Sequence, residues 1–282
     1  MTTLTLDRKQ PFNLDATLSC GQVFRWDRGA DGWWTGIVSD HIIRIRQDGC
    51  HLTFTGAPLP FIRQYFSLDI NLDAILASMD NDPFIHASIA KHRGLRLIRQ
   101  PAWECTVSYI CSTNSNIPTI RRRIASIAEK YGTALHSGGT TQYTFPDPGA
   151  IICDGHDGLT ECRLGYRQPY VFGTSCTVTD AGIWEKNIRK LPYEDASKEL
   201  MQLHGVGPKA ADCILLFAFQ KYEAFPVDVW IRRIMQEHYL PDLATGAPLT
   251  KREYDTICRF AREHFGEYCG WAQEYLFAGR EG

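Results

Sequence analysis

No two of the ten cysteines form a CxxC pair, and no four share a zinc or iron–sulfur spacing. No metal site is therefore expected, and the thiols read as reduced cysteines of an intracellular protein. No apolar run approaches the length of a membrane span. The opening "MTTLTLDRKQPFNLD" has no apolar stretch of the signal-peptide kind, so a cytoplasmic setting is expected. There is no repeat and no low-complexity tract. Net charge is only -2 over 282 residues, so no global basic field announces a nucleic-acid partner.

What is present is the composition of a packed protein. Hydrophobic residues make up 44% of the chain and there are seven tryptophans, which excludes a disordered polypeptide. Charge is unevenly spread. Residues 81–130 carry eight Lys/Arg against three acids, whereas from Glu194 onward acids outnumber bases by 14 to 10. A local basic patch on a neutral body is one reading, and a solvated helix face is the other.

The pattern of elements changes along the chain. "QVFRWD", "WWTGIV", "HIIRIR" and "HLTFT" are short, β-branched or aromatic, and separated by turn residues. Ile43 and Ile45 alternate with Arg44 and Arg46, as in a strand with one wet face. An antiparallel meander is expected, followed by helical pieces near 59–67, 71–78 and 82–91. Beyond residue 95 most signals are helical: 101–112, 117–132 capped by Asn116, short pieces at 158–162 and 180–188, then 193–204, 208–220, 228–239, 250–266 and 270–279. "TTQYTFPDPGAIICDG" reads as a loop. The fold class is α+β: an N-terminal antiparallel-sheet domain with helices over 1–96, then an all-α body over 97–282. The body divides into subdomains of 97–116 plus 194–282, and 117–193.

Two of these helices are joined by "LHGVGPKAADC", residues 203–213. Gly205 and Gly207 permit backbone angles and a close approach that side chains forbid. Pro208 suits an early helix position. Unpaired amides at a helix start bind anions, so Gly205, Val206 and Gly207 can grip a phosphate without reading sequence. An ordinary helix connection explains the glycines equally well. Lys209 adds to the pattern, because the first turn of a helix disfavours a cation. That position and the apolar run behind it favour a neutral amine, which is a nucleophile. A phosphate-binding lysine is the plainer alternative. Asp228 begins the next helix in "FPVDVW", where it serves as a cap. The short link "KYEAFPV" also allows its carboxylate to face Lys209, where it would stabilise a developing positive charge.

Taken in order, five segments resemble the 8-oxoguanine DNA glycosylases of the helix-hairpin-helix superfamily. They are "SCGQVFRW" (19–26), "YICSTNSNI" (109–117), "LGYRQPYV" (164–171), "LMQLHGVGPKAADCILLFAF" with "FPVDVW", and "GWAQEYLF" (270–277). The resemblance spans most of the chain. It implies an enzyme that flips an oxidised guanine out of duplex DNA and cuts its glycosidic bond. Lys209 is implied to attack the sugar, forming a Schiff base that permits strand nicking by β-elimination, with Asp228 as its acidic partner.

The remaining roles are likewise implied by the family. The Gly21 carbonyl meets the N7–H that only the oxidised base carries. Cys213 lies against one side of the base, Phe277 stacks on it, Gln273 bonds its edge, and Pro226 lines the same pocket. Asn114 fills the gap left by the flipped base, Tyr166 wedges beside the opposite base, and Arg167 bonds the estranged cytosine. No cofactor is implied for catalysis, although backbone carbonyls near Leu203 and Val206 are positions for a monovalent or calcium ion. A monomer acting on 8-oxoguanine-containing duplex DNA is expected, near the nucleoid of a prokaryote.

The pattern departs from eukaryotic members in two places. Trp230 stands where they have histidine, and Pro118-Thr119 where they have arginine. Two other classes compete with this reading. A monofunctional glycosylase for alkylated bases lacks the hairpin lysine, and a non-catalytic DNA-binding module needs neither Gly21 nor the Gln273/Phe277 pair.

Overall fold

A computed structural model describes residues 1–7, 9–137, 139–243 and 246–280. Its five-stranded antiparallel sheet has strands β1 (Thr2–Thr5), β2 (Trp26–Arg28), β3 (Trp34–Val38), β4 (His41–Asp48) and β5 (His51–Thr55). The order is β1-β5-β4-β3-β2, so the expected meander is present and the N-terminal strand adds to its far edge. Ile43 and Ile45 are wholly buried while Arg44 and Arg46 face out, as the alternation requires.

Two cores meet. The smaller lies under the sheet and includes Trp26, Trp34, Ile43, Ile45, Phe54, Ile62 and Phe66. The larger runs through the helical body and also takes in Leu72, Ile75, Leu76, Met79, Ile85 and Ile89. Helices Leu72–Met79 and Pro83–Lys91 therefore pack with the body, and the two cores interleave along the chain, Cys20 and Phe24 joining the larger and Ile98 the smaller. Their apolar faces are read as helices from sequence, but nothing local says which core they join.

Other departures have local causes. The segment read as a loop, 140–155, opens with the second strand of a hairpin, Ala134–Ser137 with Thr140–Tyr143, which turns at Gly139 (φ +80), and it also contains the short helix Pro148–Ile152. Helix Gln168–Thr177 escaped the periodicity reading because its buried face uses Thr174 and Ser175 beside Val171. Their hydroxyls are satisfied by carbonyls, Thr174 on His204 at 2.9 Å and Ser175 on Val171 at 2.8 Å.

Half of the eight cations in residues 81–130 are paired with acids. Arg93 pairs with Asp73, Arg99 with Asp69, Arg121 with Asp27 and Lys130 with Glu161. Those acids lie outside the window, so a count along the sequence could not see them. Arg96 is wholly buried, where its guanidinium donates to the carbonyls of Pro11 (3.2 Å), Ser67 (2.5 Å) and Ile70 (3.2 Å). Burial lowers its pKa to about 10. Arg96→Met would leave three carbonyls without their donor. Urea unfolding should show a loss of about 2–4 kcal/mol, with the midpoint shifted and the slope kept.

Candidate active site

The hairpin is built from helix Tyr193–Leu200, a turn, and helix Pro208–Phe219, here the hairpin helix. Gly205 has φ +79, and a Cβ there would sit 2.7 Å from the Tyr170 side chain. Only glycine fits that position. Gly207 differs from the sequence reading: its φ of -96 is ordinary, and a Cβ there would meet nothing within 4 Å. Its contribution is an open surface, not a strained angle. The Val206 side chain is buried in the core, so the turn can offer a ligand only the backbone of that residue.

The hairpin helix carries Lys209 at its first turn and Cys213 one turn on. Lys209 is half-buried, and its Nζ lies over the Tyr109 ring, 5.3 Å from the centroid. Tyr109 comes from the buried helix Ala102–Ser112, stacks on Phe217 at 5.8 Å, and donates its hydroxyl to the Gln22 carbonyl at 3.4 Å. In sequence it reads as one more aromatic of a buried helix. The amine is thus seated on an aromatic face that is itself fixed at both ends. Cys213 is buried, and burial pushes its thiol up to about 12. It remains protonated at neutral pH and does not compete as a nucleophile.

Asp228 caps helix Val229–His238, accepting from Ile231 N at 2.8 Å. The segment before it is held by a buried carboxylate. Asp212, on the hairpin helix, accepts from Tyr193 (2.7 Å) and from Tyr254 (2.5 Å), and Val227 N points to the same Tyr254 oxygen at 3.5 Å. Burial raises Asp212 to about 6. The start of the hairpin helix and the start of the Asp228 helix are thereby linked through one carboxylate.

Gly21 lies on the opposite wall at φ +104, a conformation that favours glycine. A Cβ there would project to within 3.6 Å of the Phe277 ring. The turn is pinned by Gln22, whose amide is fully used. Its Nε2 donates to the carbonyls of Thr17 (3.0 Å) and Arg96 (2.9 Å), and its Oε1 accepts from Ile98 N (2.8 Å). The C-terminal helix Cys269–Ala278 supplies buried Gln273 and half-buried Phe277.

All seven residues expected around a catalytic and base-holding site line one cleft with about 370 Å³ of empty space: Gly21, Lys209, Cys213, Pro226, Asp228, Gln273 and Phe277. Gln22, Tyr109, Phe217 and Glu274 complete its walls. Lys209, Asp228 and Tyr109 also border a wider open groove, with Thr113, Asn114, Gly205, Gly207 and Trp230 along it. These three residues stand at the junction of a surface groove and a narrow cleft.

Asn114, Tyr166 and Arg167 form a separate cluster at the groove. Asn114 is exposed at φ +48, and its amide points to the Tyr166 hydroxyl at 3.5 Å. Arg167 is buried and donates to the Thr113 carbonyl at 3.1 Å and the Asn114 carbonyl at 3.3 Å, while its guanidinium covers the Tyr166 ring at 4.2 Å. In this state Arg167 holds the Asn114 loop instead of facing open solvent. Trp230 is 47% exposed on the groove beside Asp228. Among the described residues, no group of three or more His, Cys, Asp or Glu is placed to hold a metal ion.

The chain is similar to known proteins over most of its length. A family model described as the N-terminal domain of 8-oxoguanine DNA glycosylase matches residues 4–106. The probable N-glycosylase/DNA lyase of Methanothermobacter thermautotrophicus is 35% identical over 239 residues, covering 77% of this chain and 72% of that protein. The Arabidopsis thaliana N-glycosylase/DNA lyase OGG1 is 29% identical, covering 94% of this chain and 76% of the relative. The crystal structure of Clostridium acetobutylicum 8-oxoguanine glycosylase/lyase, in complex with dsDNA containing cytosine opposite 8-oxoG, superposes with a TM-score of 0.87. Its sequence is 32% identical, with 95% of this chain and 91% of that chain covered. The 3-methyladenine DNA-glycosylase of Archaeoglobus fulgidus shares the fold, at TM-score 0.78 and 20% identity over 99% and 98% of the two chains.

The two hairpin glycines should separate in a stability measurement. Gly205→Ala must move Tyr170 and strain a positive φ, at a cost of about 1–3 kcal/mol. Gly207→Ala should stay within about 0.5 kcal/mol of the parent. Thermal or urea denaturation of both variants checks the pair.

Proposed function

Since the chain belongs to the 8-oxoguanine DNA glycosylase/lyase family, we propose that Lys209 is its nucleophile and Asp228 the carboxylate that assists it. The enzyme excises 8-oxoguanine from duplex DNA and then nicks the strand. One observation carries the assignment of residues: Lys209 and Asp228 border both the groove and the cleft.

The chemistry follows from that placement. A flipped nucleotide puts its base in the cleft and leaves its sugar at the mouth. The Lys209 amine nitrogen attacks C1′ as the glycosidic bond breaks, and the base departs with the bonding electron pair and takes up a proton. The Asp228 carboxylate stabilises the positive charge that develops on the sugar. The nitrogen then loses a proton, its lone pair forms the C1′=N bond as the C1′–O4′ bond breaks, and O4′ takes up a proton, so the ring opens to an iminium ion. Removal of a C2′ proton then expels the 3′-phosphate by β-elimination, and water releases the lysine. Asp228 is fixed for this task by its own cap bond to Ile231 N, which aims the carboxylate through one oxygen.

Base recognition is assigned to Gly21, Cys213, Pro226, Gln273 and Phe277. Asn114, Tyr166 and Arg167 are assigned to the space vacated in the duplex and to the opposite base. Gly205, Val206 and Gly207 are assigned to the phosphate backbone through main-chain amides. The hairpin carbonyls near Leu203 and Val206 are positions for a monovalent or calcium ion that takes no part in the reaction. Among the described residues no helix is long and apolar enough to cross a membrane. The proposed setting is the nucleoid of a prokaryotic cytoplasm, with the protein acting as a monomer.

Incubation with 8-oxoguanine duplex and borohydride should trap a covalent protein–DNA adduct. Lys209→Gln should abolish the adduct and lower single-turnover excision by at least about 10³-fold, and Asp228→Asn should lower it by about 10²-fold. Excision by the parent protein without any trapped adduct would point instead to a monofunctional glycosylase. Binding without excision would leave only a DNA-binding module.

A further inference from the structure

Two buried oxygens on residues that line the cleft have no hydrogen-bond partner. Gln273 Oε1 and Glu274 Oε1 are both buried, both residues line the cleft, and neither atom accepts a hydrogen bond. A buried polar atom left unpaired costs about 1–3 kcal/mol, so two neighbouring ones on a single helix call for an explanation. The family motif specifies Gln273 and Phe277 but leaves the position after Gln273, occupied here by Glu274, unassigned. Glu274 is 2% exposed; the Cys20 thiol bonds its carboxyl group, and Oε1 is left without a partner.

We propose that Glu274 is a second base-reading residue, which with Gln273 presents the acceptors that the N–H groups of an oxidised guanine satisfy. This rests on the reading of the cleft as the site for the flipped base. The chemistry selects among bases. 8-Oxoguanine carries N–H donors at N1, at the exocyclic N2 and at N7. Thymine carries one, and 8-oxoadenine has an acceptor at N1. A wall of two unpaired acceptors therefore favours the base richest in donors and leaves a donor-poor base with oxygen facing lone pair.

The surroundings of Glu274 give this contact a proton linkage. Burial raises its pKa to about 7, with the Cys20 thiol and Arg280 lowering it and Asp228 raising it. The other groups around it are Tyr109 from the helix beneath and Lys209 and Cys213 from the hairpin helix. Cys20, Cys213 and Tyr109 hold their protons well above neutrality, each chiefly through burial. Near pH 7 the empty cleft therefore contains both the acid and the carboxylate of Glu274. A base N–H bonds more strongly to the carboxylate. Base entry thus lowers the pKa of Glu274 and releases a proton, and lesion binding strengthens as pH rises through about 7.

The test compares the full-length protein with its Glu274→Gln and Glu274→Met variants. The ligands are a duplex carrying 2′-fluoro-8-oxoguanosine, which resists cleavage, and the same duplex undamaged. The ratio of the two affinities cancels titration of general phosphate contacts. For the parent protein this ratio should fall about tenfold from pH 8 to pH 6. Glu274→Gln keeps an acceptor without a titratable proton, so its ratio should be flat over that range. Glu274→Met should lose about tenfold or more of the ratio at pH 8 while unfolding like the parent. Equal pH dependence in the parent and Glu274→Gln, or a full ratio in Glu274→Met, would overturn the proposal. A parent protein with no preference for the lesion would overturn the reading of the cleft itself, and the role of Glu274 with it.

Discussion

The Gln22 side-chain amide is buried where the two cores meet, and the placement of the site depends on it. Its nitrogen and oxygen are both committed to main-chain groups of Thr17, Arg96 and Ile98, and its own backbone carbonyl accepts from Gln100 Nε2 (2.6 Å) and Tyr109. An unpaired amide at that depth would be costly, so these segments have one arrangement that satisfies it. Gly21 is the next residue, and its positive φ is held from one side by this network. Tyr109, bonded to the same carbonyl, is the ring on which Lys209 rests. A single glutamine thus relates the Gly21 wall of the cleft to Lys209, although the two lie nearly two hundred residues apart in sequence.

The helix starts impose the second constraint. Lys209 and Asp228 belong to two different helices whose first turns face one cleft, and Asp212 ties the segments behind them through Tyr193 and Tyr254. The carboxylate of Asp212 is short and fully bonded, so it acts as a rigid joint and not as a reactive acid. The placement of Lys209 and Asp228 is therefore set by groups of the packed interior behind them.

Much of this was legible in the sequence where the signal is local. Asn116 caps its helix through Thr119 N at 3.0 Å, Asp228 caps its own, and the Ile43/Ile45 alternation gave the buried face of a strand. Glycine spacing and a cation at a helix start pointed to the hairpin, and the order of five segments pointed to the family. Residues whose roles come from distant partners were not legible. Tyr109 and Phe217 look like ordinary core aromatics, Gln22 looks like a polar residue between strands, and Asp212 looks like an unwelcome charge in an apolar helix. The basic patch and the solvated face stay open as readings of residues 81–130 for the same reason, since the acids that pair with four of those cations lie elsewhere in the chain. Helix Gln168–Thr177 was hidden because hydroxyl side chains, not apolar ones, form most of its buried face.

Cysteine burial has a consequence for the conditions under which the protein must work. Seven of the ten thiols are buried, including Cys213 in the cleft and Cys20 beside Gly21. Peroxides attack the thiolate, and burial keeps these sulfurs protonated and out of reach. Oxidants that convert guanine to the enzyme's substrate would therefore meet a site with no ready thiolate to damage. The same packing that shapes the cleft keeps its own thiols, Cys20 and Cys213, in the protonated form that resists the stress that creates its work.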